Sequence, residues 1–292
     1  MAVVAYYLFL PLIYLTSILP FPLLYVLSDL MYIIVYYLAG YRTNVVYRNL
    51  KNAFPDKTED EIEQISKAFY KRFCDFGLET VKTITISRKA LKKHIRFDDI
   101  SLFRKYKEQN QSVIILMGHF GNFELAGARF SVEPIHKLYV IYHPLKNKQF
   151  DRLIHRTRTR LGTRLYKMSD TLRGMVRDRD LLTATAFIAD QTPYPKTAYW
   201  MDFMGQDAPV FSGAEDLARK FNYPVIYVSV KRVKRGLYTI GAELISEKPR
   251  EEKEHDITIR FTRRLEQDIR EQPHNWWWTH KRWKHKKSGN SL

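Results

Sequence analysis

One cysteine, Cys74, stands in a chain of 292 residues. An intrachain disulfide is impossible, and a disulfide-stapled secreted scaffold is excluded. Glycine and proline are scarce, at 12 each, while hydrophobic residues make up 45%. That composition excludes a collagen-like or disordered chain and is ample for a sizeable core. Acid is short relative to base, with 31 Asp and Glu against 48 Lys and Arg and a formal net charge of +17. Whatever such a chain meets is acidic: nucleic acid, anionic lipid headgroups or an acidic protein. At about 150 residues per domain the length allows one large domain or two ordinary ones.

Charge is nearly missing from the first forty residues, where Asp29 is the one charged side chain. Two apolar stretches lie end to end there, Ala2 to Leu19 around Pro11 and Leu23 to Leu38 around Asp29. Between them Pro20-Phe21-Pro22 must break or kink a helix. The many tyrosines favour the water–lipid interface over the hydrocarbon centre. A cleaved signal peptide lacks support, because no Lys or Arg precedes the apolar run and no small-residue cleavage site follows it. A buried helix pair of a soluble domain remains an alternative. Membrane attachment fits the stretch better, with Arg42, Arg48 and Lys51 beside it marking the cytoplasmic side. The organisation expected is an apolar membrane-anchoring segment over 1–40, an α/β domain over 41–272 and a basic Trp-rich segment over 273–292.

Thr58-Glu59-Asp60-Glu61 reads as a capping box, opening a long amphipathic helix through Ile62, Ile65, Phe69, Phe73, Phe76, Thr80 and Ile84. A basic helix is expected over Leu102 to Glu108. The period then changes. Ser112 to Met117, Leu138 to Tyr142, Leu181 to Ala189 and Pro224 to Val230 read as buried strands, with helices from Phe123 and over Phe150 to Leu161. Lys231 to Gly236 reads as a basic hairpin loop leading into Leu237 to Leu244, and Asp256 to Gln272 as a last amphipathic helix. Strands alternating with helices predict a single α/β domain with a mostly parallel central sheet flanked by helices.

His119 follows the first of these strands in Gly118-His119-Phe120-Gly121-Asn122-Phe123-Glu124. Ligands of open α/β sheets bind beyond the carboxyl ends of the strands. Along an unbroken helix His119 and Glu124 would be about 140° apart; the Gly-flanked turn removes that restriction. A carboxylate on one imidazole nitrogen fixes the tautomer and leaves the other to take a proton, a general-base dyad suited to a hydroxyl. A loop histidine bonded for structure gives the same pattern. No G-x-S-x-G elbow occurs, and Cys74 lies within a helix without a neighbouring histidine, so the substrate's own hydroxyl is the nucleophile to expect. HExxH and paired CxxC spacings are absent, so neither a metal nor an organic cofactor is suggested. Arg152, Arg156 and Arg160 share one helix face, as a solvated basic surface or a phosphate clamp. Ser212-Gly213-Ala214-Glu215 reads as a second capping box.

His119 to Glu124 matches the His-x4-acid signature of the lysophospholipid and glycerol-phosphate acyltransferase superfamily, and further blocks follow in order. They are Tyr41-Arg42 with Val46 and Asn49-Leu50; Glu79 on the helix ahead of the site; Tyr142 to Asn147, with His143 where the pattern has arginine; Asp190-Gln191; Phe203-Met204-Gly205 with Gly213 and Leu217-Ala218; and Trp278 to Lys284. Over about residues 10 to 285 the chain resembles the bacterial lipid A late acyltransferases, the lauroyl and myristoyl transferases. The resemblance implies a glycerol-phosphate acyltransferase-like fold at the cell inner membrane, with its catalytic domain on the cytoplasmic side. It also implies transfer of a fatty acyl chain from a thioester, acyl carrier protein or acyl-coenzyme A, to a hydroxyl of a membrane glycolipid. His119 and Glu124 are then the catalytic dyad. Arg158, Arg152, Asp190, Gln191 and Asn122 are the candidates for substrate binding.

The Pro273 to Lys287 tail carries Trp276, Trp277, Trp278 and Trp283 beside lysines, a composition that suits an anionic membrane surface. It also suits a single-stranded nucleic-acid platform, but a nucleic-acid reading leaves the uncharged N-terminus and the His119 turn unexplained. Within the enzymes the alternative is an acyltransferase acting on a lysophospholipid or an amino-acid lipid.

Overall fold

The computed structural model describes residues 2–287; the end of the basic Trp-rich segment, 288–292, lies outside the described residues. Two apolar helices open the chain, α1 (Ala2–Ile18) and α2 (Phe21–Tyr32). Pro20 caps α2 in an extended conformation, and Pro22 is tolerated in the first turn, where the N–H has no intrahelical acceptor to lose. A π-helical stretch, Ile33–Leu38, continues α2. Then come α3 (Thr43–Ala53) and α4 (Glu59–Lys82). The capping box forms as the sequence implies: Glu61 N–H donates to the Thr58 hydroxyl at 3.3 Å, and Thr58 N–H to the Glu61 carboxylate at 2.9 Å.

The α/β part runs α5 (Arg88–His94), β1 (Ile95–Phe97), α6 (Ser101–Glu108), β2 (Val113–Met117), α7 (Phe123–Ser131), β3 (Lys137–Tyr142), α8 (Lys148–Thr159), β4 (Arg164–Lys167), α9 (Thr171–Arg177) and β5 (Thr183–Ile188). A separate hairpin, β6 (Tyr199–Phe203) and β7 (Gln206–Val210), precedes α10 (Gly213–Phe221), β8 (Val225–Lys234), β9 (Leu237–Ser246) and α11 (Asp256–Glu271). The main sheet has seven strands in the order β1-β9-β8-β2-β5-β3-β4. All neighbours are parallel except β8 and β9, so β9 and β1 run against the rest. The mixed α/β fold with a mostly parallel sheet is the one the sequence predicts.

Both faces of this sheet are covered, which is why β2 is an unbroken apolar run. Ile114 and Leu116 point to one face, against Phe261, Leu265 and Ile269 of α11. Val113, Ile115 and Met117 point to the other, against Leu125, Ala126, Ala128 and Phe130 of α7. The α11 stripe repeats every four residues, and each such buried side chain contributes about 1.5–3 kcal/mol.

Three expectations are corrected. Lys231 to Lys234 belong to β8, and the reversal is confined to Arg235 and Gly236, because the β8–β9 ladder persists to the Lys234–Leu237 pair. Ser212 makes no side-chain cap; Glu215 turns away to accept from the backbone and hydroxyl of Thr258 at 2.9 and 2.6 Å. Trp276 and Trp278 are not surface side chains. They are buried in the core, where Trp276 meets Phe203 and Trp278 meets Phe54.

Candidate active site

The site lies where β2 and β5 end side by side. Their parallel register pairs Met117 with Ile188, and two residues further on the same register brings His119 beside Asp190. Gly118 permits the approach: a Cβ there would stand 2.7 Å from Leu265 Cδ1 and 3.4 Å from Asp190 Oδ2. The His119 backbone N–H donates to Asp190 Oδ2 at 2.8 Å, and His119 Nδ1 lies 2.6 Å from Asp190 Oδ1. A carboxylate so close to Nδ1 holds the ring proton there and leaves Nε2 unprotonated. The Gln191 amide nitrogen lies 3.4 Å from Nε2.

Asp190 is buried. Burial alone would raise its carboxyl, yet the His119 ring, the His119 N–H and the Trp276 indole hold it below the usual carboxylate range. Trp276 Nε1 donates to Asp190 Oδ2 at 2.7 Å, so both carboxylate oxygens are occupied. Trp276 reaches this place because its segment pairs with the His119 turn. Phe120 forms a bridge with Trp276, and Gly121 N–H donates to the Asn275 carbonyl at 3.0 Å. Gly121 has φ +63°, and a Cβ there would run into the Val230 carbonyl oxygen.

Glu124, expected as the partner of His119, is bonded elsewhere. It lies in the first turn of α7 and accepts from Arg158 of α8, through Nε at 3.0 Å and again through Nη2. Facing α8, its carboxylate takes the nearest guanidinium, and Asp190 occupies the imidazole nitrogen in its place. Burial would lower the Arg158 guanidinium, but the paired Glu124 carboxylate holds it above its ordinary value.

The remaining candidates separate. Gln191 is at the site. Asn122 is fully buried and caps α7, accepting from Leu125 N–H at 2.9 Å while its amide donates to Glu79 at 2.6 Å. It is therefore closed to substrate, contrary to the sequence reading. Arg152 is exposed on α8 and forms no ion pair among the described residues. Arg160 donates to the carbonyls of Thr83 and Ile86, a structural tie. Sequence reasoning missed Trp276 as a donor to Asp190, since no local spacing relates the two. His280, from the same tail, is pushed down to about 4 by burial and bonds the Thr192 hydroxyl at 3.1 Å.

Next to Phe123, between α7 and the sheet, lies an apolar pocket. Phe123, Glu124 and Arg158 line it, and Ile115, Leu138 and Ala186 belong to its apolar wall. The His119 ring packs edge-to-face on Phe123 with centroids 5.0 Å apart. Among the described residues no group of three or more His, Cys, Asp or Glu side chains is placed to hold a metal ion.

A histidine backed by a buried carboxylate, at the strand ends of an α/β sheet and near an apolar pocket, is an arrangement able to take a proton from a hydroxyl. Residues 2–285 match the model of the bacterial lipid A biosynthesis acyltransferases, and the chain belongs to that family. It is thus an acyltransferase by family. No curated protein is similar enough to count as a match.

Proposed function

We propose that this acyltransferase moves a fatty acyl chain from an acyl thioester, carried by acyl carrier protein, to a hydroxyl of a lipid A precursor at the cytoplasmic face of the inner membrane. The observation that carries the mechanism is the 2.6 Å contact between His119 Nδ1 and Asp190 Oδ1, which leaves Nε2 as the free base. Nε2 takes the proton of the acceptor hydroxyl, and the oxygen attacks the thioester carbonyl carbon. The carbon–sulfur bond breaks on collapse, and the departing thiolate recovers the proton from the imidazolium. An ester and a thiol result, and no acyl-enzyme forms. Asp190 holds the ring and stabilises its charged form. Glu124 keeps Arg158 beside the acyl pocket, where the guanidinium can face the thioester carbonyl as negative charge develops on its oxygen.

Membrane attachment rests on α1 and α2. Phe21–Leu38 is long and apolar enough to span, with 17% of it buried. Most of the large exposed hydrophobic side chains, among them Leu8, Leu12, Leu23, Leu30 and Ile34, fall in this N-terminal region. An apolar patch of that extent in water is unfavourable, and lipid removes the penalty. The net charge of +17 suits an acidic carrier protein and an anionic leaflet.

The test is transfer by the purified protein, in detergent or vesicles, of a labelled acyl group from acyl carrier protein to a lipid A precursor, read by mass spectrometry. The expected product is heavier by one acyl chain. Acylation of a lysophospholipid or an amino-acid lipid, with the lipid A precursor untouched, would replace the acceptor while keeping the chemistry.

A further inference from the structure

Behind the His119 turn lies a carboxylate that this chemistry does not use. Glu79 of α4 is fully buried, and among the described residues it has no ion-pair partner. Three neutral groups donate to it instead. Tyr25 Oη reaches Oε1 at 2.7 Å, while Asn122 Nδ2 and Tyr238 Oη reach Oε2 at 2.6 and 2.8 Å. Burial raises its carboxyl above the usual range. A buried carboxyl is costly wherever it is not fully bonded, so all three donors matter.

Asn122 joins this group to the site. It sits between His119 and Glu124, and its side chain both caps α7 and donates to Glu79. The turn is held at His119 by Asp190, at Gly121 by Asn275 and at Asn122 by Glu79. Tyr25 comes from the other direction, from apolar α2. That helix presents a polar seam to the domain. Ser28 donates to Asp75 at 2.7 Å, and Arg235, at the β8–β9 reversal, bonds Asp29, Asp75 and the Tyr25 carbonyl. A helix serving only as an anchor has no use for a hydroxyl aimed at a buried carboxylate behind the reacting loop.

We propose that Glu79 is a positioning residue for acyl transfer, acting through Asn122, and that α2 supplies one of its three donors through Tyr25, so that the seating of the apolar helix sets the His119 turn. This rests on the function proposed above. In the isosteric Glu79→Gln variant the amide oxygen can still accept from Asn122 and Tyr238, while the Tyr25 hydroxyl rotates to accept from the amide nitrogen. Ser28→Ala removes only the helix's direct hydrogen bond to Asp75 and leaves the three donors to Glu79 in place.

The experiment measures kcat and KM, per folded molecule in the full-length enzyme, for Tyr25→Phe, Glu79→Gln, Glu79→Ala and Ser28→Ala. Tyr25→Phe is expected to lower kcat about three- to tenfold with KM unchanged, the worth of one hydrogen bond. Glu79→Ala is expected to lower it about 100-fold or more, and Glu79→Gln to recover most of that loss. Ser28→Ala is expected to lower the melting temperature and leave kcat alone. Wild-type kcat in folded Tyr25→Phe and Glu79→Ala would overturn the proposal, as would an equal loss of kcat in Ser28→Ala. If the wild-type protein transfers no acyl group, the proposed function fails instead. The coupling is then read from the rate at which diethylpyrocarbonate modifies His119, mapped by peptide mass spectrometry. A changed rate in Tyr25→Phe, and not in Ser28→Ala, upholds the proposal; an unchanged rate in both refutes it.

Discussion

Asp190 lies at the tip of β5, 5% exposed, and its oxygens accept from an imidazole, a backbone N–H and an indole. Glu124 lies in the first turn of α7, partly open to the apolar pocket, and carries an arginine. Local spacing nominates Glu124 as the partner of His119, since only four residues, one of them Gly121, separate them. Sheet register nominates Asp190, which is 71 residues away in sequence but one strand away in space. The register wins because the chain leaves β2 through Gly118 with His119 already facing β5, while α7 points the first-turn carboxylate towards α8. A short motif can thus mark a site while leaving the roles within it to the tertiary structure.

The largest effect that can break this comparison is at His119 itself. His119→Ala should remove general-base catalysis, worth about 10²–10⁴-fold in kcat, with folding and membrane association intact; near-normal turnover in that variant would end the base assignment. Asp190→Asn comes next. The amide cannot hold the imidazole in the same tautomer or stabilise its cation, so kcat should fall about 10²–10⁴-fold with little change in KM. Arg158→Lys should cost less, about tenfold, because lysine keeps the charge but loses the two-point grip on Glu124. Steady-state rates at varied donor concentration measure this, and a wild-type rate would show that the fork is not needed.

The smallest effect concerns stability. Burial pushes His274 and His280 down to about 4. Their unfolded forms take up protons near 6.5 while the folded ones do not, so stability is full above about pH 6.5 and declines as pH falls towards 4. Urea melts at pH 7.0 and 5.0 should show a lower midpoint at the acid value, and His280→Gln should narrow the gap. Equal midpoints in wild type would contradict it.

Much of the architecture is readable locally. The Thr58–Glu61 box and the three-and-four stepping that follows mark α4, and continuous apolar runs mark β2, β3 and β5. Edge strands β1 and β4 escaped, being three and four residues long with charged members. So did the β6–β7 hairpin, whose Asp202, Asp207 and Pro209 break the apolar pattern. His119 was legible, because a glycine-flanked histidine after a buried strand is a local feature. Its bond to Asp190 and the Trp276 donor were not, since both depend on which strands and tail segments come to lie together. The tryptophan-rich tail misleads for a related reason: composition records that Trp and Lys are neighbours, but not that Trp276 and Trp278 turn inward.

In the proposed mechanism His119 works through Asp190 and not through Glu124. The most direct test is the pH dependence of kcat in the wild type, Asp190→Asn and Glu124→Gln, with acyl carrier protein as donor carrier and a lipid A precursor as acceptor. In Asp190→Asn the limb reporting the imidazole should be displaced or lost, together with the fall in kcat. Glu124→Gln should keep that limb in place whatever it loses in rate. A displaced limb in Glu124→Gln, with Asp190→Asn behaving like the wild type, would return the orienting role to the nearer carboxylate.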